Sequence, residues 1–287
     1  MHDPVIGIAN LSRKFGRNAA LDGVSLAVPR GNVFGLVGEN GAGKSTLIKH
    51  ILGLWRAEVG TVRVFGLDPV ADPVGVLSRI GYLSEQPDLP NWMRVGEFLR
   101  YTQAFYPKWD PHYADQLREQ FGLDSGARIR VLSKGQQAKL GLLAAQAHRP
   151  DLLLLDEPSS GLDPIVRNDI LAAVIRTVAD EGRTVFFSSH LLEEIERVSD
   201  HVAMLHQGRL VLCGLLDDIK AQHRRITLRF EAPQTKPPLI PGALGIAGTG
   251  RDWTMICDGS GIAKMGAKVV DEHSVSLNEI FVARAGA

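Results

Sequence analysis

Cysteine is scarce in this 287-residue sequence, and its acidic and basic residues cancel in charge. The two cysteines, Cys213 and Cys257, stand far apart and form no CxxC pair, which argues against a disulfide framework or a zinc site. Lysine and arginine together number 32, as do aspartate and glutamate, so no net field draws the molecule to nucleic acid or anionic lipid. We therefore expect free thiols in a reducing compartment and no nucleic-acid partner.

Long apolar runs are also missing. The unbroken apolar stretches are far shorter than the roughly 18 residues that suggest a membrane-spanning helix. The first residues also lack the charged-then-apolar pattern of a signal peptide. We expect a chain that does not cross a membrane, so that any role at a membrane requires another subunit that does.

The sequence does contain a series of short apolar runs separated by helical patterns. Strands are predicted at residues 5–9, 21–28, 33–37, 152–155, 185–187 and 202–205. The first helix is predicted from about residue 46 to residue 54. Apolar strands that alternate with helices indicate a mostly parallel sheet covered by helices.

Two further regions depart from this pattern. Apolar residues at helical spacing, with Asp110 as a helix cap, predict a helical subdomain over about residues 88–150. Beyond about residue 226, alternating strands and a capping box at Ser276–Glu279 predict a small appended unit. The sequence thus predicts one domain over residues 1–225 and an accessory unit over residues 226–287.

The segment Gly38–Ser45 follows one of the predicted buried strands and fits the pattern G-x-x-x-x-G-K-[ST]. Its glycines let successive backbone N–H groups point at phosphate oxygens, and the helix that follows adds its positive N-terminal end. In such a loop Lys44 supplies a charge to the β- and γ-phosphates, and Ser45 supplies a hydroxyl to Mg²⁺. The pattern therefore predicts a nucleotide phosphate site.

Two acids end a second predicted strand. Asp156 stands where a carboxylate can reach Mg²⁺, and on an extended backbone the next side chain, that of Glu157, points elsewhere. One acid can therefore hold metal while the other positions or deprotonates the attacking water. By themselves the two acids fit a solubilised strand end equally well, but a phosphate loop in the same chain favours the catalytic interpretation.

The segment Leu132–Gln137 looks like the LSGGQ signature of ABC ATPases, with Lys134 in place of the middle glycine. Five motifs in that family's order are present: Gly38–Ser45, Leu132–Gln137, Leu152–Glu157, residues 160–163 and His190. Over about residues 5–225 the chain resembles an ABC transporter ATP-binding subunit. The resemblance implies an α/β fold of P-loop NTPase type, with a mostly parallel core sheet, an antiparallel β subdomain, a helical subdomain and a small C-terminal α+β appendage.

The resemblance also implies a head-to-tail dimer with two ATP molecules at its interface, formed with a second copy or a sister subunit. The implied ATP contacts are Phe15 against adenine, the loop residues Gly38, Glu39, Asn40, Gly41, Ala42, Gly43, Lys44, Ser45 and Thr46, and, across the interface, Ser133, Gly135, Gln136 and Asp163. Hydrolysis is assigned to Glu157, His190 and Lys44. The implied Mg²⁺ ligands are Ser45, Asp156 and Glu85.

Two positions depart from the family's pattern. The family usually has glutamine after the strand at residues 80–83, whereas here Glu85 aligns with that position and Gln86 comes next. A carboxylate is also a hard oxygen ligand, so we expect Glu85 to contact the metal. The second departure is Lys134, whose charge faces either the partner's nucleotide, a coupling surface or solvent.

These features favour the ATPase motor of an ABC transporter over two alternatives. The motor would lie at the inner, cytoplasmic face of the cell membrane, bound to an integral-membrane permease, and a tail segment at residues 275–281 similar to those of ABC-2-type exporters leans toward export. A soluble ABC ATPase acting on ribosomes or DNA usually has two linked ATPase halves, which this chain lacks. An ATP sensor without hydrolysis is disfavoured by Glu157 and His190.

Overall fold

The computed structural model of the chain describes residues 3–179, 182–257 and 267–285. The strands found there are β1 (Ile6–Phe15), β2 (Asn18–Val28), β3 (Val33–Val37), β4 (Val59–Val64), β5 (Ile80–Leu83), β6 (Leu152–Asp156), β7 (Thr184–Ser189), β8 (His201–His206), β9 (Arg209–Leu215), β10 (Arg224–Gln234), β11 (Leu244–Cys257) and β12 (Ala267–Ser274). The helices are α1 (Lys44–Ile51), α2 (Pro73–Leu77), α3 (Val95–Gln103), α4 (Pro111–Gln120), α5 (Lys134–Gln146), α6 (Pro164–Ala179), α7 (Leu192–Val198), α8 (Leu216–Ala221) and α9 (Leu277–Ala285). None of these helices is both long and apolar enough to span a membrane.

The chain divides into two compact units, Met1–Leu210 and Val211–Ala287. The sequence-based boundary after residue 225 stays a prediction. The two units are described separately below.

Five strands in the order β5-β6-β7-β3-β8 form the centre of the first unit. The four pairings that join β5, β6, β7, β3 and β8 are all parallel. Every residue of β3, β6 and β7 is buried, which is why these strands appear in the sequence as unbroken apolar runs. The predicted mostly parallel sheet is confirmed.

The register of this sheet decides where the polar residues at its carboxyl edge meet. Asp156, the last residue of β6, pairs with Ser188 of β7, and Ser189 pairs with Val37, the last residue of β3. Since the carboxyl ends of parallel strands share one edge, the segments that follow Val37, Asp156 and Ser189 converge there.

A second sheet of the first unit is antiparallel, with the order β2-β1-β4. Strand β1 runs on to Phe15, well beyond the predicted end at residue 9. A register shift follows Ile8, and Asn10 has a positive φ of 52°. Such a bulge breaks the alternation of apolar residues, so the pattern stops in the sequence while the strand continues.

The helical subdomain contains α3, α4 and α5. Asp110 caps α4 as predicted, because its carboxylate accepts a hydrogen bond of 3.0 Å from the backbone N–H of Tyr113. Helix α1 begins at Lys44 and ends at Ile51, three residues before the predicted end and shortly before Gly53 at φ 69°. A glycine in the left-handed region is a common helix terminator.

In the second unit, β10, β11 and β12 form an antiparallel sheet of order β11-β10-β12. Its core is built from the side chains that the alternation singled out: Ile226, Leu228, Phe230, Trp253, Met255 and Cys257. Helix α9 starts at the predicted capping box, in which the Ser276 hydroxyl accepts from the Glu279 N–H and the Glu279 carboxylate accepts from the Ser276 N–H. The small α+β unit is confirmed.

One buried histidine of the first unit gives its stability a pH dependence. His148 is 1% exposed, its ring stacks on Tyr106 with centroids 3.9 Å apart, and its Nε2 donates to the carbonyl oxygen of Ile80 at 3.1 Å. Burial lowers the pKa of His148 below the ordinary histidine value. The unfolded chain therefore takes up a proton before the folded chain does, and stability is lost as the pH falls below about 6.5.

We predict that His148→Gln flattens this dependence. The free energy of unfolding of the wild type should fall between about pH 7.5 and about pH 5.5, and that of the variant should fall less, because its side chain does not titrate there. Urea denaturation at several pH values measures both slopes. His112→Gln, at an exposed histidine of α4, should keep the wild-type slope; equal slopes for wild type and His148→Gln would contradict the assignment.

Candidate nucleotide site

The loop between β3 and α1 can adopt its shape only with glycine at its narrowest points. Gly43 has φ 110°, and a Cβ there would lie 2.4 Å from the carbonyl oxygen of Ala20. A Cβ on Gly38 would lie 2.3 Å from the carbonyl oxygen of Leu205. Gly43 is also the N-cap of α1 and provides no side-chain cap, which leaves the first N–H groups of the helix to a ligand.

Lys44 is buried at the centre of this loop. Its ammonium group donates to the carbonyl oxygens of Gly38 and Glu39, at 2.6 and 3.2 Å, and lies 3.0 Å from Oε1 of Glu157. Both Lys44 and Glu157 are only 6% exposed. The lysine of the phosphate loop and the acid after β6 thus form one buried ion pair.

Glu157 departs from the extended backbone expected after Asp156. Its φ is +50°, in the left-handed region, and its N–H donates to the carbonyl oxygen and the hydroxyl of Ser188 at 3.2 and 3.0 Å. The other carboxylate oxygen, Oε2, lies 2.6 Å from Nδ1 of His190. This turn of the chain places the Glu157 carboxylate between Lys44 and His190, so three residues proposed for hydrolysis are in direct contact.

Asp156 directly precedes Glu157, and its carboxylate is held by two hydroxyl groups. Its Oδ1 accepts from the Ser188 hydroxyl at 2.8 Å, and its side chain is also hydrogen-bonded to that of Ser45. Burial raises the pKa of Asp156, and the nearby charges of Glu157 and Glu85 raise it further, against the opposing hydrogen bonds. A carboxylate in this position is stabilised by any cation that binds next to it.

Sequence reasoning missed Ser188. It donates to Asp156 and accepts from the Glu157 N–H, so it orients both acids. The only available signal was its place in the polar run that ends β7, and recognising its role required the register between β6 and β7.

Sequence reasoning also missed Glu194, a buried acid at the start of α7. It accepts hydrogen bonds from the hydroxyls of Ser159, at 2.7 Å, and Ser189, at 2.8 Å, and forms an ion pair of 3.2 Å with Arg167. Ser159 closely follows Glu157 and Ser189 directly precedes His190, so these contacts fix the backbone next to both residues.

A cavity of about 430 Å³ opens over the loop. Its lining residues are Phe15, Asn18, Ala20, Asn40, Gly41, Gly43, Lys44, Ser45, Thr46, Glu85 and Glu157. The ring of Phe15 is 43% exposed and rests on the edge of Trp55 at a centroid distance of 5.2 Å. The structure therefore brings together the predicted loop, Phe15, Glu85 and Glu157 in one cavity large enough for small ligands.

The signature residues have a different location. Ser133 caps α5 and accepts from the Gln136 N–H at 3.2 Å, while the Gln136 side chain accepts from the Ser133 N–H at 2.9 Å. Asp163 likewise caps α6, accepting from the N–H groups of Ile165 and Val166. Neither the signature residues nor Asp163 line the cavity over the phosphate loop.

Comparison with known proteins gives the family. The family model described as "ABC transporter" matches residues 21–160. The bacitracin transport ATP-binding protein BcrA of Enterococcus faecalis is 33% identical over 78% of this chain and 73% of its own length. This chain belongs to the ABC transporter ATP-binding proteins.

Two further matches agree. The ABC transporter ATP-binding protein YtrB of Bacillus subtilis is 29% identical over 98% of both chains. A solved structure titled as the ATP binding subunit of an ABC transporter matches with a TM-score of 0.69 and 31% identity, over 75% of this chain and 92% of that one. At the level of the family, this ABC protein binds ATP and hydrolyses it to drive transport.

We predict that Ser188→Ala destabilises this ABC protein by about 1–3 kcal/mol, because it removes one hydrogen-bond partner from the buried Asp156 carboxylate and one from the Glu157 N–H. Chemical denaturation measures the loss. Ser125→Ala, which removes an exposed hydroxyl, should stay within about 0.5 kcal/mol of wild type. Equal stability of the two variants would show that Ser188 does not orient the acids.

Proposed function

We propose that this chain is the ATPase motor of an ABC exporter, in which two ATPase subunits share two nucleotide sites. The observation that carries the proposal is the separation of motifs within one chain. The phosphate loop and Glu157 line one cavity, whereas Ser133, Gly135 and Gln136 lie outside it. A second subunit is therefore needed to bring a signature to the cavity.

Within one subunit, the phosphate-loop residues would bind the ATP phosphates. The backbone from Gly38 to Thr46, including Glu39, Asn40, Gly41 and Ala42, supplies the curved amide surface, and Phe15 supplies an exposed aromatic face for adenine. The Lys44 ammonium group donates to two carbonyl oxygens and faces the Glu157 carboxylate. The phosphates offer it a stronger anionic partner, so ATP binding would release the Glu157 carboxylate.

Glu157 would then position and deprotonate the attacking water. One carboxylate oxygen, Oε2, is held by its contact of 2.6 Å with His190, and the other, Oε1, faces Lys44. His190 directly follows the last residue of β7, and its ring would contact the γ-phosphate. A single carboxylate held by two movable partners suits a base that acts only when ATP is bound.

The residues around Asp156 fit Mg²⁺. Ser45, Asp156 and Glu85 offer only oxygen donors, which this hard cation prefers. Burial, and to a smaller extent the charges of Glu157 and Glu85, raise the pKa of Asp156, and a divalent cation beside it would stabilise the ionised carboxylate. When bound, Mg²⁺ would supply positive charge to offset the negative charge of the ATP phosphates.

The signature of a second copy or a sister subunit would complete each site, arranged head to tail. Helix α5, which Ser133 caps, has no acidic residue in its first turn, so the end of the helix that carries the signature is positive and suits a γ-phosphate. Asp163 would lie at the same interface.

The membrane partner would be an integral permease at the cytoplasmic face of the membrane. The helical subdomain exposes large aromatic side chains, with Trp92 72%, Phe105 63% and Tyr101 54% exposed, and exposed aromatics of this kind are common in protein interfaces. Export is favoured by residues 275–281, which resemble the tails of ABC-2-type exporter ATPases. We further propose residues 1–225 as the ATPase domain and residues 226–287 as an accessory unit.

Mixing two inactive variants tests the shared site. Lys44→Ala should lose ATP binding, and Ser133→Arg should bind ATP as a monomer but fail to hydrolyse it. Neither forms a working site with itself, but a mixed dimer has one intact loop opposite one intact signature. We therefore predict that mixing the two purified variants restores ATPase activity. Normal hydrolysis by Ser133→Arg alone would show that the site is not shared.

The metal assignment is tested at two neighbouring positions. We predict that Glu85→Ala raises the Mg²⁺ concentration needed for half-maximal ATPase activity by about tenfold or more, because it removes an oxygen ligand. Gln86→Ala is the matched control and should change it little. The opposite result, with activity dependent on Gln86 and indifferent to Glu85, would show that the register of this segment is wrong.

A further inference from the structure

Lys134, the residue that departs from the family signature, contacts a second functional loop of its own chain. Its ammonium nitrogen lies 2.5 Å from the position that a Cβ on Gly161 would take. Gly161 has φ 65°, and it belongs to residues 158–163, which we term the connecting loop because they join Glu157 to α6. The lysine thus rests on the bare backbone of this loop.

The connecting loop is tied to both acids of the nucleotide cavity. The Ser160 N–H donates to the carbonyl oxygen of Glu157 at 3.1 Å, and the Ser160 hydroxyl donates to Oε1 of Glu85 at 3.1 Å. A movement of Glu157 or Glu85 is therefore passed to Ser160 and Gly161, the residue that Lys134 covers.

The other end of this contact is the signature helix. Lys134 is the first residue of α5, directly after the cap Ser133. The next residue, Gly135, packs so closely on α6 that a Cβ would lie 2.9 Å from Cγ2 of Val166. No carboxylate partner is found for Lys134 among residues 3–179, 182–257 and 267–285, so its charge lies next to Gly161 without an acid to neutralise it.

We propose that Lys134 is a positioning residue that couples the two ATP sites of the dimer. It links the connecting loop, which contacts Glu157 and Glu85 in one site, to the signature helix, which serves the other site. The proposal rests on the shared-site function above. Because coupling between two sites is reciprocal, loss of the link lowers the mutual effect of the two ATP molecules without changing how one subunit binds ATP.

The test compares variants of the full chain by two measurements: the Hill coefficient for ATP hydrolysis, and the dimer dissociation constant with a non-hydrolysable ATP analogue. Lys134→Ala and Lys134→Met should lower the Hill coefficient and weaken the dimer by about two- to fivefold, the range for an exposed charged contact. The affinity of the monomer for ATP should stay within about twofold of the wild-type value, because the coupling acts only between the two sites of the dimer. Lys134→Arg keeps the positive charge, so it should leave both the Hill coefficient and the dimer dissociation constant near their wild-type values.

Lys139→Ala is the matched control. Lys139 lies on the same helix and forms an ion pair of 2.7 Å with Asp169 of α6, away from the connecting loop. If Lys139→Ala and Lys134→Ala change the two measurements equally, Lys134 is merely one more contact between α5 and α6, and the proposal is wrong. A wild type that neither dimerises with the analogue nor hydrolyses ATP would instead refute the shared-site function.

A double-mutant cycle separates the link from a direct contact between Lys134 and the partner's nucleotide. In Gly161→Ala the new methyl group displaces the lysine, so adding Lys134→Ala should have little further effect. A direct phosphate contact predicts additive losses and would overturn the proposal. If Gly161→Ala fails to fold, Ser160→Ala replaces it in the cycle, because it removes the hydroxyl that ties the connecting loop to Glu85. The link then predicts that adding Lys134→Ala has little further effect, and additive losses would overturn the proposal.

Discussion

The buried ion pair between Lys44 and Glu157 is the interaction on which the nucleotide site depends. Isolating either charge from water costs several kcal/mol, so the pair is tolerated only because carbonyl oxygens of the phosphate loop and the His190 ring complete its hydrogen bonds. It joins the loop after β3 to the segment after β6, although β7 lies between these strands in the sheet. A phosphate that attracts Lys44 therefore acts directly on the acid proposed for hydrolysis.

The parallel register makes that pair possible. It aligns Asp156 with Ser188, and the positive φ of Glu157 then turns the next carboxylate toward the loop rather than onward along the strand. Asp156 stays at the strand end beside Ser45. The two carboxylates have different partners, as the sequence pattern indicated, but a left-handed residue, rather than the alternation of an extended chain, separates them.

In the proposed function, the signature of a second subunit completes the cavity assembled in this way. In a single chain, Ser133 and Gln136 cap the N-terminus of α5 reciprocally. The connecting loop, which Lys134 contacts, is hydrogen-bonded to Glu157. Each subunit can thus bind nucleotide at one end of this connection and present a signature at the other. The proposed arrangement would make a phosphate loop, which kinases and GTPases also use, half of a shared site.

The sequence by itself determined the buried strands, the phosphate loop, the helix caps at Asp110 and Ser276, and the order of the family motifs. These features depend on neighbours within a few residues, so their chemistry is visible in the chain. Only the tertiary structure decided the long β1, the contacts of Ser188 and Glu194, the turn at Glu157 and the contact of Lys134 with Gly161. Each of these depends on strand register, a bulge or a backbone torsion, which places residues distant in sequence against each other and leaves no periodic pattern to read.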